Sequence, residues 1–552
     1  MKYVKNGGIA LAAIAALLTS SCAVGPDFLR PILPDSAGYS DKPIEKTAAA
    51  EGTAGAAQSF ASDKDIPADW WKMYGSEPLN GLIGQALKAN PDLQAAEAAL
   101  RQAQENVKAG YGSLFPSVDI SGGPTREKFN PAAFGNSGAR SSIFTLYNAS
   151  VSVSYALDIF GGARREIESL QALADLQRFQ KEAAYVSLTA NVVTAALREA
   201  SLRAQIKETQ DIVGIEQNQL DILQKQFDVG AISKLIVLQQ EANLAQFETS
   251  LAPLQKQLAQ AHDQLAALTG NFPNAALAED FDLATLRLPE EIPLSLPSKL
   301  VEQRPDIRIA EEALHSASAE IGVATAEMLP QISINGSYGA ESVRFHKLFT
   351  PQSNVWDIGA NLLQPIFHGG QLFHERQAAV AAYDRAEAQY RSTVLAAFQN
   401  VADSLRALQY DAEEVAAQVH AEHAASESFH LAQAQYKVGA INYLSMLDAE
   451  RSYQQARIGL VQAQAARLAD TAALFQALGG GWWNRDLPKP DPIAAPAITP
   501  ATDASPAAMP ETSPAPPTEP PPTAVPSPDN TPAPAQPSLQ PLIPQQEKIP
   551  NV

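Results

Sequence analysis

The chain has 552 residues, which is long enough for several domains, and its 60 acidic and 40 basic residues give a formal charge of −20. That charge argues against nucleic acid as a partner, because phosphate recognition needs a basic face. A single cysteine excludes an intrachain disulfide and a zinc site built from cysteines.

The beginning of the chain predicts a signal peptide over residues 1–21. Lys2 and Lys5 precede an apolar stretch over 9–18 that is too short to span a bilayer. Small residues then lead to Cys22, as in a bacterial lipobox, although Thr19 stands where an aliphatic residue is preferred. We therefore expect Cys22 to be the lipidated first residue of the mature chain. The alternative is an ordinary signal peptide followed by an incidental cysteine.

Composition divides the mature chain into three parts. Residues 22–66 are rich in Pro, Ala, Gly and Ser and predict a lipidated, extended linker. Residues 484–552 hold more than half of the 40 prolines and predict a disordered tail, because such a segment buries too little apolar surface to fold. The folded body is therefore expected over 67–483.

This body contains an internal repeat. Asn-Pro-Asp-Leu at 90–93 returns as Arg-Pro-Asp-Ile at 304–307, and Val-Gly-Ala-Ile at 229–232 returns at 438–441. The offsets are 214 and 209 residues, and self-similarity at such a nearly constant offset indicates two structurally alike units. We expect a first repeat over 67–276 and a second over 277–483, each with a helix, two strands and a long helical hairpin.

Each repeat contains two segments whose residues alternate in the manner of β-strands. Apolar residues alternate with small or polar ones at 118–121, 149–157, 332–334 and 356–363. This alternation is typical of membrane barrel strands, or of a soluble hairpin packed on helices. Four strands cannot close a membrane barrel and lipid does not tolerate open edges, so either several chains share one barrel or the strands are soluble.

The helices are predicted to be very long. Residues 163–228 and 370–437 contain no proline, and a helix of that length reaches roughly 100 Å. Such helices need lateral partners, as in a coiled-coil array.

Several motifs together resemble the outer membrane factor family of TolC-type efflux channels, in its lipoprotein (NodT-type) branch. They are Cys-Ala-Val-Gly-Pro-Asp-Phe at 22–28, Trp-Trp-Lys-Met-Tyr-Gly at 70–75, Asn-Pro-Asp-Leu at 90–93, Leu-Asp-Ile-Phe-Gly-Gly at 157–162 and Leu-Gly-Gly-Gly-Trp at 478–482. The resemblance implies an α+β membrane protein in which three chains form a transmembrane β-barrel of twelve strands, four from each chain. A long periplasmic α-helical barrel is expected to continue it.

The resemblance also implies a role and partners. We expect a lipid-anchored homotrimer in the outer membrane of a Gram-negative bacterium, joined to a periplasmic adaptor and an inner-membrane transporter of the resistance-nodulation-division type. It would passively conduct drugs or other small toxic compounds outward. The alternatives are the same channel serving metal cations or type I protein secretion, and a non-channel coiled-coil lipoprotein of the envelope.

No catalytic motif or phosphate-binding loop occurs in the sequence, so we expect neither an enzyme nor a cofactor. One weak candidate for a metal site is the set His420, His423 and His430, with Glu427, on one face of the second long helix. A polar face of an alanine-rich helix is the more common explanation of such spacing.

The hairpin tips carry the remaining candidate residues. The family resemblance implies that Leu444 and Asp448 face the axis as a periplasmic gate, the alternative being helix-start packing and capping. Related channels often carry a second aspartate at the position of Ser445 or Ile236. The tip turns are small and apolar, which would let an adaptor approach closely. They consist of Val229, Gly230, Ala231, Val438, Gly439 and Ala440.

Overall fold

The computed structural model describes residues 23–31, 38–39, 44–62, 64–130, 140–275 and 282–485. The signal peptide, Cys22 and nearly all of the proline-rich tail lie outside the described residues. The helices are α1 (Glu77–Ala89), α2 (Pro91–Tyr111), α3 (Gly162–Asp228), α4 (Lys234–Leu268), α5 (Pro297–Gln303), α6 (Pro305–Ala326), α7 (Gln371–Lys437) and α8 (Tyr443–Ala477). The strands are β1 (Ser59–Ser62), β2 (Ser117–Phe129), β3 (Ser142–Leu157), β4 (Glu291–Leu294), β5 (Gln331–Ser342) and β6 (Asn354–Leu363).

The long helices have matching lengths in the two halves of the chain. Helices α3 and α7 contain 67 residues each, and the return helices α4 and α8 contain 35 each. A helix of 67 residues is about 100 Å long. Gly161 and Gly370 precede α3 and α7 with positive φ values of 78° and 89°, a conformation that glycine adopts without steric cost.

The single helix expected at the start of the first repeat is divided into α1 and α2. The side chain of Asn90 accepts hydrogen bonds from the backbone N–H groups of Asp92 and Leu93, at 3.0 and 3.1 Å. Pro91 occupies the first turn of α2, where its missing N–H costs nothing. The cap therefore ends one helix and starts the next.

Helix α3 lies at the centre of the helical packing. It contacts α2, α4, α6 and α8, whereas α7 packs mainly against α6 and α8. Large apolar or aromatic side chains remain exposed along α7, among them Phe373, Leu395, Tyr410 and Leu431. Within the described ranges, none of the helices is both long enough and apolar enough to cross a membrane.

The four strands predicted from alternation form one antiparallel sheet in the order β2-β3-β5-β6. Its register sets Val118 of β2 opposite Val153 of β3, which in turn opposes Gly336 of β5. Because paired residues lie on the same side of a sheet, the alternating apolar residues that predicted the four strands share one face. The other face carries small polar groups, where Ser154 Oγ donates to Asn335 Oδ1 at 2.8 Å.

The segment 44–62, which we predicted to be a linker, is packed against the helices. Strand β1 pairs in parallel with β4 of the second half. Arg467 of α8 is fully buried and donates to the carbonyl oxygens of Ala54 and Ala56 and to Thr47 Oγ1, at 2.8–2.9 Å. A buried guanidinium needs such acceptors, so this part of the chain is a structural element. Its composition alone gave no sign of that partner.

The first described residues are also fixed to the helices. Arg165 of α3 donates to Val24 O at 3.0 Å and pairs with Asp27 at 2.7 Å. The ring of Phe28 stacks on His315 of α6, with centroids 4.4 Å apart. Both neighbouring carboxylates, Glu312 and Glu168, raise the pKa of His315 by accepting its hydrogen bonds.

Candidate functional site

The candidate site lies at the ends of the two long hairpins, where α3 meets α4 and α7 meets α8. Gly230 and Gly439 take φ values of +75° and +77° in the turns. Each turn is closed by a backbone hydrogen bond of 2.9 Å, from Ala231 N to Gln226 O and from Ala440 N to Gln435 O. These bonds satisfy carbonyl groups left free at the helix ends.

Both turns present an open surface. A Cβ atom built on Gly230 or Gly439 meets no other atom within 4 Å. Val229 and Val438, which precede the glycines, are each 80% exposed. The predicted contact residues therefore form two small, apolar and accessible turns in each chain.

An apolar cluster joins the two hairpin ends. We call it the tip cluster, and it consists of Leu223, Val237, Tyr443, Met446 and Leu447. Because these residues come from α3, α4 and α8, the cluster holds the first turns of α8 against the other hairpin. The structure thus gives α8 a buried face and an opposite, exposed face at its start.

Leu444 and Asp448 lie together on that exposed face. They are four residues apart on α8, and both are exposed while Tyr443, Met446 and Leu447 are buried. Neither predicted gate residue packs into the tip cluster. Neither of them caps α8, because the cap is Asn442, whose Oδ1 accepts from Ser445 N at 2.9 Å.

The residues that precede α4 and α8 differ in how they cap their helices. Asn442 caps α8 through its side chain, whereas Ser233 stands at the cap position of α4 without a side-chain hydrogen bond. Ser445 Oγ also donates to Asn442 Oδ1, at 3.0 Å. The hydroxyl at the position where related channels often carry aspartate is therefore engaged in the cap.

Beside the tip cluster lies a buried polar layer that sequence analysis missed. It consists of Glu216 on α3, Gln240 on α4, and Tyr443, Glu450 and Gln454 on α8, all of them buried. The Nε2 groups of Gln240 and Gln454 donate to the Glu216 carboxylate at 2.5 and 2.9 Å, and the Tyr443 hydroxyl donates to Gln240 Oε1. These bonds link α3, α4 and α8 just above the turns.

One signal in the sequence could have revealed this layer. Thr209, Ile212, Glu216 and Leu223 follow a spacing of three, four and seven residues along α3, and all four are buried. Glu216 therefore occupies a core position of an otherwise apolar stripe. In a helix rich in Gln and Glu, one more acidic residue looked like part of a solvent-facing surface.

The histidines of α7 that were weighed as a metal site are spread along the helix surface. His420, His423, Glu427 and His430 are all exposed and extend over ten residues, which is about 15 Å of helix. No group of three or more His, Cys, Asp or Glu within the described parts of the chain is arranged to hold a metal ion.

Comparisons with known proteins agree with this architecture. The pyoverdine export outer membrane protein OpmQ of Pseudomonas aeruginosa is 30% identical over 426 residues, covering 76% of this chain and 89% of that protein. The toluene efflux pump outer membrane protein TtgC of Pseudomonas putida is 28% identical over 475 residues, covering 86% and 95%. The solved structure of the outer-membrane channel OprN matches with a TM-score of 0.74 at 26% identity, covering 84% of this chain and all of that one.

The family comparison spans both halves of the chain. The sequence profile described as "Outer membrane efflux protein" matches residues 82–271 and 296–480, which include the long hairpins and the sheet strands. The chain therefore belongs to the outer membrane efflux protein family.

Proposed function

We propose that three copies of this chain form the outer-membrane exit duct of a tripartite efflux pump. The observation that carries the proposal is the four-stranded amphipathic sheet with two open edges, β2 and β6. Lipid does not tolerate unpaired backbone groups, so β2 of one copy would pair with β6 of the next. Three sheets then close a barrel of twelve strands, which exceeds the minimum of about eight.

The exposed apolar face of the sheet supports this placement. Ile120, Trp356 and Ile358 are 84%, 72% and 75% exposed in the single chain. A soluble hairpin would cover such side chains with helices, whereas lipid covers them in a barrel. The exposed side chains of α7 would meet a neighbouring copy in the same way, which extends the barrel into an α-helical tunnel in the periplasm.

Partners and cargo are inferred from the relatives. OpmQ and TtgC are named as outer membrane proteins of export or efflux systems. We infer an inner-membrane transporter that supplies energy and a periplasmic adaptor that contacts the turns at 229–231 and 438–440. Small toxic organic compounds are the proposed cargo, because TtgC is named as the outer membrane protein of a toluene efflux pump.

Lipid anchoring at Cys22 is part of the proposal. Ala23, the next residue, lies against Gly161 at the junction of β3 and α3, where a Cβ on Gly161 would come within 2.6 Å of it. A lipid on Cys22 would thus begin near the predicted membrane boundary. Mass spectrometry of the mature N-terminus tests this: diacylglycerol and an acyl chain on Cys22 are expected, and an unmodified start at another residue would contradict the anchor.

Conductance of the purified protein in a planar bilayer tests the channel itself. We expect stable single-channel steps and a native mass of three chains. A coiled-coil lipoprotein of the envelope would give no current. In cells that lack their own ducts, the chain together with its transporter and adaptor is expected to lower toluene accumulation. Restored resistance to metal cations alone would favour the metal-efflux alternative.

A further inference from the structure

The apolar face of the sheet ends in two basic side chains, at the end farthest from the helices. Val118 and Ile120 begin the apolar face of β2, and every second residue from there shares that face. The same series reaches Arg126 and then Lys128 before the strand ends at Phe129. Glu127, which lies between them, points to the polar face.

Both cations are available to a ligand. Arg126 is held in place by its register partner on β3, because its Nη1 donates to Thr145 Oγ1 at 3.0 Å. Lys128 lies opposite Ile143, which is 60% exposed. Across the described part of the chain, neither cation forms an ion pair with a carboxylate.

Aromatic side chains border the same region. Tyr147 shares the apolar face, in register with Pro124 on one side and Ser342 on the other. Its ring contacts the exposed ring of Phe345 edge-on, with centroids 5.5 Å apart. Tyrosine and other aromatic rings collect where a membrane protein crosses from hydrocarbon to headgroups.

The position along the strand agrees with that boundary. Thr145, the partner of Arg126, precedes Leu157 at the helix end of β3 by twelve residues. Twelve residues span about 40 Å of strand, or about 30 Å of height at a tilt of about 40°. A barrel's apolar band is about 25 Å tall, so with the band beginning near Leu157, Arg126 and Lys128 would lie just beyond the hydrocarbon, at the headgroups of the leaflet opposite the helices.

We propose that Arg126 and Lys128 bind the phosphate groups of the phosphorylated glycolipid of the outer leaflet, with its acyl chains lying along the apolar residues of β2 and β3. The inference rests on the proposed function, since it requires the sheet to span the outer membrane. A guanidinium offers paired donors that match a phosphate, and an ammonium adds a second point charge.

Charge supports this occupant. The chain carries a formal charge of −20, so its overall field does not attract anions. Two cations without carboxylate partners on a lipid-facing surface therefore favour an anionic lipid at this place. A free phosphate ion would gain the charge contacts but not the acyl contacts. The glycolipid should thus bind more tightly than either inorganic phosphate or a glycolipid without phosphates.

The test uses the full-length trimer in nanodiscs of phosphatidylcholine, titrated with fluorescent bisphosphorylated lipid A. Arg126→Gln and Lys128→Gln are each expected to weaken binding about fivefold, and the double variant about thirtyfold. Arg126→Lys keeps the charge and should keep most of the affinity. Glu127→Gln, on the opposite face of the same strand, is the matched control and should bind as the wild type does.

Conductance of each variant in a planar bilayer verifies that the barrel is intact. Wild-type affinity in a double variant that still conducts would overturn this site and leave the channel proposal standing. Equal binding of dephosphorylated lipid A, or full competition by millimolar inorganic phosphate, would overturn the glycolipid as occupant. A wild-type protein that neither inserts nor conducts would instead overturn the proposed function.

Discussion

Glu450 on α8 faces Glu216 on α3 inside the polar layer, and its Oε2 atom has no hydrogen-bond partner among the described residues. Burial, together with the second carboxylate, raises the pKa of Glu450 from its ordinary 4.5 to about 8. Tyr443 and Arg451 also face this region. Burial and the charge of Glu216 thus favour the protonated form of the Glu450 carboxyl group, at the point where α8 meets the other hairpin.

The stability of the tip should therefore depend on pH. Between about pH 4.5 and 8 the folded state holds a proton that the unfolded state has released, so stability falls as pH rises through this window. Hydrogen exchange of the amides in 443–454, corrected for intrinsic rates, should show less protection at pH 8 than at pH 5. Glu450→Gln should remove most of that difference, and an unchanged pH dependence in this variant would contradict the assignment.

Replacing the predicted gate residue Leu444 should change the resting conductance of the channel. If Leu444 crowds the axis, Leu444→Ser should wet an apolar constriction and raise the resting current several-fold. Leu235, which is exposed at the corresponding place on α4, provides the control variant Leu235→Ser. Single-channel recording compares the resting currents of the Leu444→Ser and Leu235→Ser variants with that of the wild type. Equal currents in Leu444→Ser and wild type would exclude Leu444 from the constriction.

Replacing Asp448 should change how strongly the channel prefers cations and is blocked by them. Three carboxylates close to the axis would favour cations and bind a multivalent one. Asp448→Asn should weaken both cation preference and block by added divalent or trivalent cations on the periplasmic side. Reversal potentials and block curves measure this, and unchanged block would place the ring elsewhere.

The turn glycines predict a loss of export without a loss of insertion. Gly230→Trp and Gly439→Trp fill space that is open in the chain and strain a backbone with positive φ. Export by cells that contain the adaptor should fall sharply, while conductance of the purified channel should not change. Gly230→Ala shares the backbone strain but not the bulk, and it should export far better. Full export in both tryptophan variants would move the adaptor contact elsewhere.

Replacing Arg467 should loosen the attachment of the segment 44–62 to α8. Arg467→Met removes the donor to the carbonyl oxygens of Ala54 and Ala56, whereas Thr47 Oγ1 keeps the N–H of Gln58, and the loss should cost about 3 kcal/mol of stability. Limited proteolysis should then cut within 44–62 faster than in the wild type. Arg457→Met is the control on the same helix, because its ion pair with Glu208 is partly exposed and contributes less. Equal cleavage in both variants would contradict the anchoring role of Arg467.

Long stretches without proline made the helices predictable, and alternation of apolar and polar residues made the strands predictable. The proline-free stretches 163–228 and 370–437 differ from α3 and α7 by one residue at one end, and the alternating segments all fall within strands of the sheet. The strands extend further than predicted, because β2 runs through Gly122, Gly123 and Pro124, which break the alternation. Backbone pairing with β3 keeps these residues in the sheet.

Contacts between distant segments could not be predicted in the same way. Arg467 and Thr47 are 420 positions apart, and nothing in the composition of either segment indicates the other. The partners in the polar layer are likewise glutamines and glutamates within helices full of them. Spacing along α3 marks Glu216 as a core position, but it does not show which glutamines and glutamates of the facing helices meet it.

The close approach of Gly25 to Gly322 has a mechanical consequence. A Cβ on Gly25 would lie 2.4 Å from the α-carbon of Gly322, so the two backbones touch without side chains between them. Together with the Ala23–Gly161 contact, this fixes the residues that directly follow Cys22. Because consecutive α-carbons are only about 3.8 Å apart, a group on Cys22 would be attached close to these contacts. A lipid attached there would be held close to the folded chain. It would therefore fix the depth at which the channel lies in the leaflet that faces the periplasm.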